Sequence, residues 1–267
     1  MNRCLSLEHD KSGSMQPLLV LQCENSLEGI LTAIYEAFVQ KKKMSSYKDG
    51  DISICIGEGQ NMMLFATEME VKTDLDKAYK TLNAVQKQIS FLAYSQVISA
   101  LCHFSPDRGD AVLGFLICGF AMGSAVTENY ANPYVMRVME LARKANNESH
   151  NFCGFIRFHD MGRFLYGEVE PKCNVLPLIK EHFDDRYPNE HYVIYDKKRK
   201  YALVHKAFGE SIFVSGEDWN VDMDGYRDAF EALWKGYFEH IAIEARKNPR
   251  CQNNLLPKWY RKNMLEF

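Results

Sequence analysis

Apolar positions recur at helical spacing through most of the first 147 residues and at strand-like spacing soon after. Residues 18–23 form a short apolar run with strand character. Ser26 is placed to cap the next element, in which Leu27, Ile30, Leu31, Ile34, Tyr35 and Phe38 make one helical stripe. Lys41, Lys42 and Lys43 close that helix, where cations complement the helix dipole, so the triple lysine reads as a solvated helix end. Residues 74–92 carry Leu75, Ala78, Leu82, Val85, Ile89 and Leu92 at helical period, and 94–104 and 110–122 predict two further helices. Asn132 before Pro133 is a cap followed by proline at the first helical position. The helix it opens turns Val135, Val138, Met139 and Ala142 inward and is expected to end near Asn146 and Asn147.

Near His150 the pattern shortens. Residues 152–158 and 164–169, around a loop holding Asp160 and Gly162, predict a hairpin. Residues 174–186 predict a helix with Pro177 in its first turn, where a missing N–H costs least. Three short strands follow at 192–195, 201–204 and 211–214, then a closing helix over 224–246 with Tyr226, Phe230, Leu233, Tyr237 and Ile241 as its core stripe. Residues 1–16 are polar and irregular and are expected to lack order. The expected fold is α+β: a mainly helical region over 1–147, then an antiparallel sheet packed with helices over 148–267.

Composition narrows the class. A hydrophobic fraction of 46 % and a charged fraction of 25 % are those of an ordinary globular chain. The most apolar window, 111–122, is shorter than the roughly 20 residues needed to span a bilayer, so no membrane is expected. Eight cysteines without C-x-x-C spacing, and no signal peptide, predict reduced thiols in a cytoplasmic protein with no metal and no cofactor.

The net charge is −3, yet the segment from Arg246 to Lys262 holds Arg246, Lys247, Arg250, Lys258, Arg261 and Lys262 with no acidic residue. It also carries side-chain amides and the Trp259-Tyr260 pair. Cations suit phosphates, amides suit base or sugar edges and rings suit stacking, so the segment predicts contact with a polyanion such as nucleic acid. His182 and Arg186 lie one turn apart on one helix face, and Arg157 is expected on the first hairpin strand. The three could line one anion-binding surface, or the arginines could instead pair with Asp184, Asp185 or Glu168. Glu148 and His150, with His182, are the candidates for acid–base work; the alternative for the first two is a capping role at a helix end. No P-loop, dinucleotide fingerprint, G-x-S-x-G or H-E-x-x-H is present, which leans against an enzyme.

Residues 132–135, 141–144, Glu148-Ser149-His150 and 154–158 resemble a family of uncharacterised bacterial proteins called "probable DNA metabolism protein". So do Glu170-Pro171, 174–178, 182–186, 234–237, Ala245-Arg246, Leu256-Pro257-Lys258, Tyr260, Glu266 and the opening helix at 26–38. Where the family usually carries Tyr-Trp this chain has Tyr260-Arg261, with Trp259 just before, and Leu265 replaces a usual proline. The resemblance implies a role in DNA modification or repair, beside a radical S-adenosylmethionine protein encoded nearby, and a related domain is fused to uracil-DNA-glycosylase-like proteins. The expected function is an accessory or nucleic-acid-binding protein using Arg157, His182, Arg186, Arg246, Arg250, Lys258, Trp259 and Arg261. The alternatives are a glycosylase- or nuclease-like enzyme using Glu148, His150 and His182, and a protein adaptor for the radical partner.

Overall fold

The computed structural model describes residues 19–43, 50–57, 66–216, 233, 236–237, 240, 248–250 and 256–263. Residues 1–16, Arg246 and most of the expected closing helix lie outside the described residues. The chain divides into two compact units, Met1–Ala145 and Asn146–Phe267.

The first unit is built on a parallel sheet. Strand β1 (Leu19–Cys23) is flanked by β2 (Ile52–Ile56) and β3 (Thr67–Val71) in the order β2-β1-β3, and both pairings are parallel. A central strand covered on both faces needs a near-continuous apolar run, and Leu19, Val20, Leu21 and Cys23 are all buried. Helix α1 (Leu27–Lys43) connects β1 to β2, and the Ser26 hydroxyl accepts from the Gly29 N–H at its start. The helical pattern alone did not reveal β2 or β3. The second is a polar edge strand with Thr67, Glu68 and Glu70 exposed, so it has no apolar signature.

Helices α2 (Leu75–Gln88), α3 (Phe91–Leu101) and α4 (Arg108–Met122) complete this core with the first turns of α5 (Pro133–Phe155). The break between α2 and α3 falls at Ser90, whose hydroxyl accepts from Ala93 N, several residues before the boundary expected from spacing. Taken with the 3-10 turn after it, the run Arg108–Glu128 is 21 residues long and apolar enough to cross a membrane by length and composition. Half of it is buried inside the unit, where Val112, Phe115 and Leu116 sit fully enclosed in the core, as a core helix would be. Asn132 caps α5 as expected, accepting from Tyr134 N (2.9 Å) and Val135 N (3.3 Å).

Helix α5 does not stop at Asn146. Glu148, Ser149 and Phe152 are buried at helical spacing, and the helix runs on to Phe155. The predicted strand at 152–158 is therefore the end of a helix and the turn after it. Its place in the hairpin is taken by a two-residue strand, β4 (His159–Asp160), paired antiparallel with β5 (Leu165–Val169).

The second unit carries a mixed α+β sheet in the order β4-β5-β6-β7-β8, with β6 (Tyr192–Asp196), β7 (Tyr201–His205) and β8 (Ile212–Ser215). All pairings are antiparallel except β5 with β6, which is parallel because α6 (Leu176–Arg186) forms the crossover between them. Pro177 lies in the first turn of α6, as the sequence requires. Phe183 of α6 and Tyr187 just after it pack with Tyr192 and with Phe158. Leu233 and Tyr237, assigned by periodicity to a core stripe, are exposed at 67 % and 56 %.

Candidate nucleic-acid interface

The C-terminal segment 256–263 docks through its aromatic pair. Tyr260 is buried, its ring 5.3 Å from Phe152 and 5.5 Å from Phe155, and its hydroxyl accepts from Asn151 Nδ2 at 3.1 Å. Trp259 meets Phe152 edge-on at 5.7 Å and stays half-buried. The Lys172 ammonium lies 5.5 Å from the centre of the Trp259 ring, a cation–π arrangement. The segment is thus anchored on the last turns of α5, and Lys258 beside Trp259 is exposed.

A second basic segment meets the same place. The β6–β7 turn reads Lys197-Lys198-Arg199-Lys200, and Arg199 fixes it. Its guanidinium donates to the Pro171 carbonyl at 3.2 Å and to the Lys172 carbonyl, and pairs with Asp196 Oδ2 at 2.9 Å. Asp196 is fully buried; burial holds its carboxyl above the usual carboxylate range, although Arg199 and the backbone N–H groups of Lys198 and Arg199 oppose that rise. Lys197 pairs with Glu168 at 2.8 Å. Lys198 and Lys200 remain exposed. Arg199 thereby ties the turn to the Pro171-Lys172 backbone, and the Lys172 ammonium lies over the indole of Trp259, so these contacts link the turn carrying Lys198 and Lys200 to the segment carrying Lys258. Tyr260 also lies against the indole, with ring centroids 4.2 Å apart, so Trp259 is a half-buried ring beside cations, the kind of pairing that polyanion contact uses.

The structure places the other sequence candidates as follows. Arg157 lies after α5 and not on a strand; its guanidinium donates to the Gly154 and Ile156 carbonyls, which caps the helix C-terminus. His182 and Arg186 are exposed on α6, and Arg186 lies over the Tyr187 ring with Nε 3.3 Å from its hydroxyl. Phe158 packs on Phe183 and Tyr187, so the chain neighbours of Arg157, His182 and Arg186 share one aromatic cluster. Among the described residues Asp184 pairs with Lys180 at 2.8 Å, and not with an arginine. Arg250 is exposed, and Arg261 Nη2 donates to the Leu256 carbonyl at 3.3 Å.

Glu148 is buried in α5, and its two oxygens accept from Lys172 N (2.7 Å) and Cys173 N (3.0 Å). This carboxylate closes the turn that presents Lys172. His150 is exposed two residues further along the same helix, a spacing that puts the two on different faces.

A polar network beside α6 went unseen in the sequence, because its members come from α6, β6, β7 and the residue before β8, with no local spacing. Tyr192 and Ser211 hydroxyls both donate to Asp184 Oδ1, and His205 Nδ1 sits 3.0 Å from Ser211 Oγ and 3.2 Å from Asp184 Oδ1. Register puts Tyr192 opposite His205, and their rings stack at 4.8 Å. Burial opposes ionisation of Asp184, but Lys180, Ser211 and Tyr192 outweigh it and hold the carboxyl below its usual range. The Tyr192 phenol is pushed up by burial and by Asp184.

Fold and surface together define a two-unit α+β protein whose C-terminal unit carries a basic, tryptophan-anchored surface. The chain belongs to the family of DUF4130, a domain of unknown function, whose model matches residues 106–266. No curated protein matches the chain. A solved structure described as a member of the s1p family of ribosomal proteins, DHH domain, aligns over 72 % of this chain and 74 % of its own at 10 % identity, with a TM-score of 0.30.

Proposed function

We propose that the protein binds nucleic acid, DNA foremost, through the second unit, as a non-catalytic accessory in DNA modification or repair beside a radical S-adenosylmethionine protein. The carrying observation is the joining of two basic segments around Trp259: the β6–β7 turn through Arg199, and the C-terminal segment through Lys172. Exposed lysines there suit contacts with phosphates, whose formation releases counterions. The half-buried indole offers a stacking surface beside them. The process and the radical partner come from the family resemblance. Glu148, the carboxylate first considered for proton transfer, already accepts two backbone N–H groups, so the reading assigns no catalytic step.

Fluorescence anisotropy with a labelled oligonucleotide tests this. Reversing two exposed charges, Lys198→Glu and Lys258→Glu, is expected to weaken binding by on the order of tenfold or more, since two favourable phosphate contacts become repulsive. Unchanged affinity in that folded double variant contradicts the proposal.

A further inference from the structure

Phe208 breaks two habits of a surface loop at once. It sits in the β7–β8 connection at a φ of 61°, the left-handed region that glycine adopts freely and a bulky side chain rarely does. It is also 84 % exposed, more than any other large apolar residue among those described. The loop is nonetheless held at three successive N–H groups. Ala207 donates to His191 Nδ1 at 3.2 Å, Phe208 to the Pro188 carbonyl at 2.8 Å and Gly209 to the Lys206 carbonyl at 2.8 Å. A strained aromatic fixed in this way and facing solvent is a side chain presented to something outside the chain.

Beside the loop lies a depression of about 410 Å3. Register puts Val193, Val204 and Ile212 in one cross-strand row on one face of β6, β7 and β8. The first two line the depression together with Phe164, and Ile212, next in the row, is 58 % exposed. Lys206 also lines it, two residues before Phe208, whereas Phe208 itself lies outside the lining. One small surface therefore carries both a projecting ring and an apolar hollow that this ring does not fill.

We infer that this face joins two copies of the chain about a twofold axis, with Phe208 of each copy seated in the depression of the other. A twofold contact uses the same patch on both copies, so the patch must hold both halves of the fit, and this one does. Seating the ring withdraws Phe208, Ile212 and the apolar row from water. Charge agrees with the same occupant. Arg163 and Lys206 are exposed at the margin of the depression. The projecting loop is flanked instead by exposed carboxylates, Glu210 two residues after Phe208 and Glu190 two residues after Pro188. Exchange about the axis turns the carboxylates of each copy toward the cations of the other. A partner that is simply acidic or simply basic answers only half of this set. The basic turn lies at the opposite end of β6 and β7, so the inference is independent of nucleic-acid binding.

Sedimentation velocity on the full-length protein over a concentration series tests the inference. Wild type is expected to pass from monomer to dimer with a Kd on the order of 10 µM, the weak association that a small interface gives. Phe208→Gly removes the ring and suits the positive φ, so it is expected to melt close to wild type yet dimerise at least about tenfold more weakly. Lys206→Glu and Glu210→Lys are each expected to weaken the dimer by about tenfold. Both residues are exposed, and the double variant, which sets opposite charges across the axis again, is expected to recover most of the loss. Wild type that stays monomeric up to about 200 µM overturns the inference, even if the face then binds another protein. So does a dimer that Phe208→Gly leaves unchanged, or a double variant weaker than both single reversals.

Discussion

At the scale of single residues, the same side-chain chemistry serves scaffold in one place and surface in another. Glu148 accepts two backbone N–H groups next to buried Cys173, and its removal orphans both donors. Glu148→Ala is therefore expected to cost about 1–3 kcal/mol of stability. Urea denaturation measures this, and a midpoint equal to wild type would show that the turn is held by something else. Cys23 offers a second check. Burial pushes its thiol up to about 12, against a smaller opposing pull from Arg108, so little thiolate exists near neutral pH. Mass spectrometry after mild alkylation at pH 8 is expected to find Cys23 unmodified in the folded protein and modified in urea. The sequence allowed a capping role for Glu148 but gave no sight of its partners, which lie 24 and 25 residues away.

At the scale of elements, helices were legible and strand pairing was not. The stripe of α1 and the Asn132 cap of α5 appear in the structure where spacing placed them. Of the stripe expected over 74–92, Ala78, Val85 and Ile89 are buried, but Leu75 is exposed and Leu92 is an exposed residue of α3. The end of α5 was misread because aromatic and β-branched residues at 152–158 mimic a strand, while the burial of Glu148, Ser149 and Phe152 continues the helical period. The parallel pairing of β5 with β6 depends on where α6 packs, which no local pattern records. Close helix approach explains one glycine. A Cβ at Gly114 of α4 would lie 2.4 Å from the Tyr134 ring of α5. Gly114→Ala is expected to destabilise by about 1–3 kcal/mol through overpacking, read by thermal melting. A melting point raised above wild type would contradict that contact.

The same two helices are joined by Arg137, which pairs with Asp107 and Glu140. The Arg137 hydrogen bond, helped by Ser105 and opposed by burial, lowers the Asp107 carboxyl from its ordinary 3.8 to about 2. A depressed carboxylate stabilises the fold fully above its unfolded value and ceases to do so as pH falls through its folded value. Arg137→Ala is therefore expected to be less stable than wild type at pH 6, with the gap closing as pH drops from about 4 toward 2. The groups are a third to a half exposed, so the gap is small after solvent screening. A gap independent of pH across that window, followed by acid unfolding, would exclude this ion pair as its source.

For the whole molecule, the composition concealed more than it disclosed. A net charge of −3 says nothing of a basic surface, and the C-terminal segment alone showed only half of one. The other half, Lys198 and Lys200, sits in a turn that looks like an ordinary solvated hairpin until Arg199 ties it to Pro171 and Lys172. That union could not be read from spacing, because it depends on three segments meeting in space. The central claim is that these lysines together hold a polyanion. It is tested most directly by DNA affinity across a salt series for wild type and for Lys172→Ala/Lys198→Ala/Lys258→Ala. Each lost phosphate contact should flatten the slope of log K against log salt by about 0.9 on duplex DNA, so up to about 2.7 for the triple variant, with weaker binding at every salt concentration. Identical slopes and affinities for the two proteins would contradict the account.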